Sequence, residues 1–309
     1  MLAIFLKTLP FFAIIGLGYW AGRTRFFSSE ATAYLTKFVF YFALSAMLFR
    51  FAANLSLAEV LNWRLIGGYL AGCSAIYVIA TAVAVLRKQD IATAAVEAQC
   101  ATIGNVGFLG VPMLTLLMGP QAIGPVMLVL AVDLIVFSSL IVILITGSRD
   151  GRMHLGVLKT VAMGLLRNPM IVAISLGFLW SALEIPIPDP MNEFLAILGG
   201  AATPGALFAI GASLAGKSAE RIEVALWLTF AKLVLHPLFV AIAVLWFLPI
   251  DTYSASVVIA AAALPVAGNV YMLAQHYNVA PHRASAAILF STLFSIATIS
   301  VVIAWVSQL

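Results

Sequence analysis

Long apolar runs separated by short polar connections follow one another along this chain. Each run has about 20 residues or more, the length of an α-helix that crosses the hydrocarbon core of a bilayer. We therefore predict an all-α polytopic membrane protein with ten transmembrane helices. The predicted spans are residues 2–21, 31–53, 63–86, 91–118, 121–146, 160–183, 191–215, 222–248, 254–276 and 283–305.

Composition supports a chain that is solvated mainly by lipid. Hydrophobic residues make up 63% of the 309 positions and charged residues only 9%, too few for a water-soluble surface. A membrane β-barrel would show alternating segments of about ten residues instead. Cys73 and Cys100 lie in apolar runs without ligand partners nearby in sequence, so we expect no metal or other cofactor. The first predicted span, which contains Lys7, is long and lacks the short apolar region and small-residue cleavage pattern of an export signal, so we expect no cleavable signal.

Basic residues indicate the orientation of the chain. The net charge of +4 does not favour nucleic-acid binding, because Lys and Arg are scattered over short loops. Eleven of them follow odd-numbered spans and three lie on the opposite side, which predicts cytoplasmic odd loops and both termini outside. The eleven are Arg23, Arg25, Arg87, Lys88, Arg149, Arg152, Lys159, Arg167, Lys217, Arg221 and Arg283, and the three are Lys7, Arg50 and Arg64.

The two halves of the chain resemble each other at a constant offset of 159 residues. Residues 10–19 align with 169–178, and residues 45–49 align with 204–208. Because five is an odd number of spans, the two copies begin on opposite sides of the membrane and must be inverted. We predict repeats at residues 1–146 and 160–309, joined by a short cytoplasmic connection at 147–159. Transporters built this way bind substrate near the membrane midplane, where the repeats meet.

Two predicted spans carry helix-breaking residues at membrane depth. The fourth contains Gly104, Asn105 and Gly107, and the ninth contains Pro265 and Asn269. If each span divides into half-helices, their N-terminal ends present free N–H groups and positive dipole ends, which suit a carboxylate. The alternative is that Gly and Pro only allow kinks or close packing of membrane helices.

The motifs GNVGFLGVP at 104–112, KLVLHP at 232–237, ALP at 263–265 and LAQHYN at 273–278 resemble the bacterial auxin efflux carrier family. That family is related to plant PIN-type auxin exporters and has members associated with malonate or malate transport. The resemblance implies a fold similar to sodium/proton antiporters and bile acid symporters. Spans 1, 2, 6 and 7 would form a scaffold, through which a homodimer could assemble. Spans 3–5 and 8–10 would form a transport domain in which spans 4 and 9 cross.

The resemblance also implies a location in the bacterial inner membrane and a substrate site at the crossing. The sequence differs from PIN-type members at two positions where those members have proline. At Gly104, unwinding of the helix depends on the conformational freedom of glycine, and at Ser45 a hydroxyl group replaces the proline kink. The long cytoplasmic loop of plant exporters is absent. The predicted substrate-binding residues are Ser45, Gly104, Asn105, Val106, Gly107, Pro112, Leu264, Pro265, Val266, Asn269 and Tyr271.

Ionisable residues inside spans are functional candidates because charge is costly at bilayer depth. Asp133 and Lys232 lie near mid-depth and could pair, while His236, one turn beyond Lys232, could relay a proton or only hydrogen-bond a neighbour. Glu97 lies in the cytoplasmic half of span four and could reach the interface. If transport is coupled to protons, Asp133 and Glu97 are the available carboxylates. The resemblance to bile acid symporters implies that sodium coupling would use an acid in the crossing region of span nine. Residues 264–271 contain no acid, so sodium coupling is less favoured than proton coupling or facilitated flux.

These patterns predict a secondary transporter for a small organic anion such as a dicarboxylate, working by an elevator-type movement. An exporter of auxin-like aromatic carboxylates is the alternative. A channel or receptor is less favoured, since an inverted repeat suits gating from two sides. The sequence contains neither a phosphate-binding loop nor a nucleophile elbow, so we expect no enzymatic activity.

Overall fold

The computed structural model describes residues 2–55, 61–150, 155–216 and 222–309. Helices joined by short connections make up these ranges, which confirms the predicted all-α membrane protein. The first half contains α1 (Leu2–Arg23), α2 (Ser29–Ala53), α3 (Trp63–Leu86), α4 (Ile91–Thr102), α5 (Val106–Met118) and α6 (Pro120–Ser148). The second half contains α7 (Leu155–Arg167), α8 (Pro169–Ala182), α9 (Asp189–Leu214), α10 (Ile222–Phe247), α11 (Thr252–Ala262), α12 (Gly268–His276) and α13 (Pro281–Val306).

Among the described residues, seven helices are long and apolar enough to cross a membrane: α1, α2, α3, α6, α9, α10 and α13. An eighth span results if α7 and α8 are counted together, although the chain bends by 74° between them. The remaining apolar helices come from the predicted fourth and ninth spans, each of which is interrupted. Their halves are too short to count as spans alone, so the predicted number of ten exceeds the seven or eight found.

The bend between α7 and α8 differs from the single sixth span predicted at 160–183. Asn168 has an extended backbone, with φ −79° and ψ 112°, and Pro169 begins α8. A residue before proline is forced away from helical geometry, and proline is well suited to the first position of a helix. The Asn168 side chain also accepts a hydrogen bond from the Met170 N–H at 3.0 Å. The Asn-Pro pair therefore ends one helix and begins another.

Helix starts elsewhere carry the expected capping residues. The side chains of Ser28, Asn62, Asp90 and Asp251 each accept a hydrogen bond from a backbone N–H in the following turn. Such caps satisfy N–H groups that have no partner within their own helix. These four starts lie close to the beginnings of predicted spans two, three, four and nine.

Close glycine contacts join the helices of the two halves. A Cβ atom on Gly18 of α1 would lie 2.1 Å from the carbonyl oxygen of Phe208 in α9. A Cβ on Gly177 of α8 would lie 2.7 Å from the carbonyl oxygen of Phe49 in α2. Residues without a side chain let membrane helices approach to backbone contact. Gly177 follows Gly18 by 159 positions, and Phe49 precedes Phe208 by the same number.

Candidate functional site

The interruptions of the predicted fourth and ninth spans lie side by side. Gly104 and Val266 face each other in an antiparallel backbone bridge. The Asn105 N–H donates to the Pro265 carbonyl at 2.8 Å, and the Ala267 N–H donates to the Ile103 carbonyl at 3.1 Å. Each interruption thereby satisfies backbone groups that the other leaves unpaired, which buried backbone requires.

Helices begin anew directly after this bridge. The Leu109 and Gly110 N–H groups bond to the Asn105 carbonyl at 3.1 and 3.0 Å, which starts α5. The first N–H groups of α5 and α12 have no carbonyl of their own helix to bond, and both starts carry a partial positive charge. Asn269 lies in the first turn of α12, and its side-chain oxygen Oδ1 is buried without a partner in the described part of the chain. Two positive helix ends and a buried amide therefore lie at the interruptions.

Ser291 of α13 holds the second interruption in place. Its hydroxyl oxygen Oγ accepts a hydrogen bond from the Val266 N–H at 3.0 Å, and the side chain is fully buried. Ser291 was not predicted, because α13 contains several serines and no sequence pattern distinguishes Ser291 from the others.

Lys232 places a buried amine next to the bridge. Its side chain is fully buried, and Nζ donates to the Ala262 carbonyl at 2.5 Å, at the C-terminal end of α11. A Cβ on Gly104 would lie 3.3 Å from the same Nζ atom, so glycine at this position leaves room for the amine. A cation at a helix C-terminus is stabilised by the negative dipole end.

His236 connects Lys232 to α3. The Lys232 Nζ atom lies 2.8 Å from His236 Nδ1, and His236 Nε2 lies 3.1 Å from Cys73 Sγ. Because an ammonium group has only donors, a charged Lys232 makes Nδ1 the acceptor and leaves the proton of a neutral imidazole on Nε2. The hydrogen-bonding prediction for His236 is therefore consistent with the geometry. Lys232, His236 and Cys73 thus form a buried polar cluster, and Cys73 was not predicted as part of it.

Asp133 lies on the other side of this polar cluster. Its Oδ1 atom accepts a hydrogen bond from the Tyr69 hydroxyl at 2.9 Å, and Oδ2 has no hydrogen-bond partner in the described ranges. Asp133 and Lys232 form no direct ion pair among the described residues, and their pairing stays a prediction. Lys232 binds His236 and a carbonyl oxygen instead, although the two charges still interact electrostatically.

Both charged residues begin or lie in a π-helical turn. These turns span Asp133–Phe137 in α6 and Ala231–Leu235 in α10. Such wide turns are uncommon and often occur at functional sites. They add one residue to a helical turn and so change which side chains point into the cluster.

Glu97 of α4 is fully buried between two arginines. Its carboxylate forms ion pairs with Arg87, from the connection before α4, and with Arg283, at the start of α13. Arg283 also donates to the Gln89 side-chain oxygen at 2.7 Å. Arginines that were assigned only as orientation signals therefore cover Glu97, and its reach to the interface stays a prediction.

The other predicted site residues have separate positions. Ser45 donates its hydroxyl hydrogen to the Phe40 carbonyl of its own helix at 3.1 Å. Pro112 is the seventh residue of α5, and Tyr271 is half-buried in α12. The members that line the interruptions and are buried are Gly104, Asn105, Val106, Gly107, Leu264, Pro265 and Val266.

An all-helical membrane protein with paired interruptions around buried polar groups has the architecture of a solute transporter. The chain belongs to the family described as Membrane transport protein, whose model matches residues 3–303. This result confirms the resemblance to the auxin efflux carriers.

Relatives with transporter names match nearly the full length. The chain is 30% identical to a Rhizobium meliloti protein named "Putative malonate transporter", over 94% of this chain and 92% of that protein. It is 25% identical to the Escherichia coli "Uncharacterized transporter YfdV", over 96% of both chains. A mouse protein named "Lysosomal cholesterol signaling protein" is 28% identical over 69% of this chain, but the match covers only 26% of that longer protein.

Proposed function

We propose that this protein is a secondary transporter that moves a small dicarboxylate across the bacterial inner membrane, with malonate as the first candidate. The observation that carries the proposal is the pair of bridged interruptions, where the starts of α5 and α12 meet near Asn269 and the Lys232 amine. Positive helix ends and a cation favour a carboxylate, to which the amide nitrogen of Asn269 can donate. The name of the Rhizobium meliloti relative supports malonate as the choice.

Ten spans in two inverted repeats form the proposed frame. In this frame α4 with α5 and α11 with α12 are broken fourth and ninth spans that cross at the Gly104–Val266 bridge. Helix contacts support the two-fold relation: α1 packs on α9 as α8 packs on α2, and α4 packs on α6 as α11 packs on α13. The matched contacts of Gly18 with Phe208 and Gly177 with Phe49 support it at the level of single residues.

Alternating access is the proposed mechanism. The scaffold consists of α1, α2, α8 and α9, and the remaining spans form a domain that carries the bound substrate across the membrane. The ion pairs of Glu97 join the connection after α3 to α4 and α13, so they hold the moving domain together. We assign Glu97 this structural role instead of proton transfer. Asp133, Lys232 and His236 remain the proposed coupling residues, with protons as the coupling ion.

The proposed orientation places both termini outside. It rests on the excess of Lys and Arg in the connections after odd-numbered spans. Under this orientation the ion pairs of Glu97 lie at the cytoplasmic end of the transport domain.

Counterflow of labelled malonate into proteoliposomes tests this function. We expect saturable uptake that depends on internal malonate and responds to a pH gradient. Asn269→Ala should reduce uptake at least about tenfold, which corresponds to about 1.4 kcal/mol of lost substrate binding. Asn54→Ala is the matched control, because its amide is exposed and, among the described residues, donates to the Arg50 carbonyl of its own helix.

Other outcomes decide between the alternatives. Flux that does not saturate would support a channel and contradict the carrier. Uptake of indole acetate but not of malonate, malate or succinate would support the aromatic carboxylate exporter. Equal uptake with and without a pH gradient would contradict proton coupling while leaving the carrier intact.

A further inference from the structure

One methionine of α8 covers the start of α5. Met170 is the second residue of α8 and is almost fully buried. Its terminal methyl carbon Cε lies directly over Gly107, where a Cβ atom would be only 2.7 Å from it. Leu130 of α6 borders the same point, with Cδ1 at 3.6 Å from that Cβ position. The Gly107 backbone therefore faces an apolar wall formed mainly by Met170.

The contact between Met170 and Gly107 lies at the start of α5. Gly107 lies in the first turn of α5, among the N–H groups that lack partners within their own helix. Met170 belongs to α8, which is part of the proposed scaffold, whereas Gly107 belongs to the proposed moving domain. The contact thus joins the two proposed domains at the proposed anion site.

Helix geometry holds Met170 at this point. The Asn168 cap binds the Met170 N–H at 3.0 Å, and the 74° bend turns α8 away from α7 directly before it. The backbone of residue 170 is therefore fixed, while its unbranched thioether side chain has three rotatable bonds and adapts to its surroundings. Met170 therefore combines a fixed backbone position with a long apolar side chain that lies against Gly107.

We propose that Met170 is a specificity-determining residue of the transport site, whose side chain occupies the space over Gly107 and limits the bulk of the carboxylate bound there. This inference rests on the proposed function of α5 and α12 in binding the substrate. Compact dicarboxylates need little space beyond the helix ends, whereas an aromatic carboxylate needs the volume that Met170 fills. Shortening residue 170 therefore favours bulky substrates.

Uptake of two labelled substrates tests the specificity. We compare malonate with indole acetate in proteoliposomes that contain wild-type protein, Met170→Ala, Met170→Leu or Met163→Ala. Met170→Ala should raise the kcat/KM ratio of indole acetate to malonate about tenfold or more, as expected when a pocket gains space for apolar groups. Met170→Leu conserves the volume, and Met163 lies exposed on α7, so both controls should keep the wild-type ratio. An unchanged ratio in Met170→Ala would overturn the proposal.

A double-substitution cycle tests the contact itself. Gly107→Ala introduces the Cβ that meets Met170, whose flexible end must shift, so it should lower malonate uptake and Tm by a small amount. Met170→Ala alone lowers Tm because it leaves a cavity, and the double variant should lose less Tm than the sum of the two single losses, since the new Cβ then fills part of that cavity. A double variant whose loss of Tm equals that sum would overturn the proposed contact.

The proposed transport function and the proposed role of Met170 are contradicted by different results. If the wild-type protein moves no carboxylate, the proposed function falls, and the role of Met170 in specificity falls with it. The Tm cycle needs no substrate, so it still shows whether Gly107 and Met170 touch. If malonate uptake is present but the substrate ratio is independent of residue 170, only the inference about Met170 fails.

Discussion

Gly18 of α1 lies so close to Phe208 of α9 that a Cβ would be 2.1 Å from the Phe208 carbonyl oxygen. Gly18→Ala should therefore push the two helices apart and reduce the free energy of unfolding by about 1–3 kcal/mol. Thermal unfolding of the protein in detergent measures the effect. Gly16→Ala is the matched control in the same helix, since no atom lies within 4 Å of its Cβ position. Equal Tm values for the two variants would contradict the close contact.

The equivalent contact in the other half gives a second prediction. Gly177→Ala should destabilise the packing of α8 on Phe49 of α2, where a Cβ would lie 2.7 Å from the carbonyl oxygen. We expect a loss of the same sign and of similar size, about 1–3 kcal/mol. Gly200→Ala serves as the control, because its Cβ position is also open. If Gly177→Ala is as stable as this control, the two contacts are not equivalent, which argues against the inverted repeat.

Ser291 and Ser295 allow a comparison within one helix. Both are fully buried in α13, but Ser291 accepts from the Val266 N–H, whereas Ser295 donates to the Thr292 carbonyl of its own helix. Ser291→Ala leaves a buried N–H without a partner and should cost about 1–3 kcal/mol. It should also impair malonate uptake more than Ser295→Ala does. Uptake assays normalised to the amount of folded protein measure this difference, and equal losses would exclude a special role for Ser291.

Helix interruptions were predictable from sequence, but their surroundings were not. Gly104 and Pro265 belong to short-range patterns that indicate a break, and the structure has helix ends at both places. Tyr69 and Cys73 lie in an apolar helix without any local signal, and tertiary packing alone brings them to Asp133 and His236. Local patterns therefore located the breaks but could not identify the partners that the fold supplies.

Two differences show how one pattern can have several physical meanings. The Asn168-Pro169 pair was included in a straight span because its neighbours are apolar, although Asn-Pro also favours a turn. Arg87 and Arg283 were counted as orientation signals, and the structure pairs both with Glu97. Hydropathy and charge counts average over such residues, so they predict the presence of spans better than bends or ion pairs.

Glu97→Gln should destabilise the protein. The substitution removes the negative charge between Arg87 and Arg283, and Arg283 is the more buried of the two arginines. Removal of one partner from a buried ion pair costs about 3–5 kcal/mol, and the partly exposed Arg87 places the expected loss at the low end of this range. Thermal unfolding measures the loss. Arg87→Gln, which keeps the Arg283 pair, should cost less, and the reverse order would contradict the proposed arrangement.

Lys232→Met should abolish malonate uptake and reduce stability. The substitution leaves the Ala262 carbonyl and His236 Nδ1 without their donor, and it removes the cation that interacts with Asp133. Lys232→Met combined with Asp133→Asn removes both charges, which buried sites tolerate better than the loss of one. We therefore expect the double variant to regain part of the lost Tm without regaining uptake.

The double variant also separates structural from transport roles. Restored uptake would show that neither charge is needed for substrate or proton movement, and would contradict the proposed coupling residues. A Tm no higher than that of Lys232→Met would show that Lys232 does not stabilise the buried charge of Asp133. Lys232→Arg keeps the charge but not the compact amine, and the Gly104 Cβ position only 3.3 Å from Nζ leaves little room for a guanidinium group. Its uptake should therefore fall at least about tenfold, a cost of about 1.4 kcal/mol.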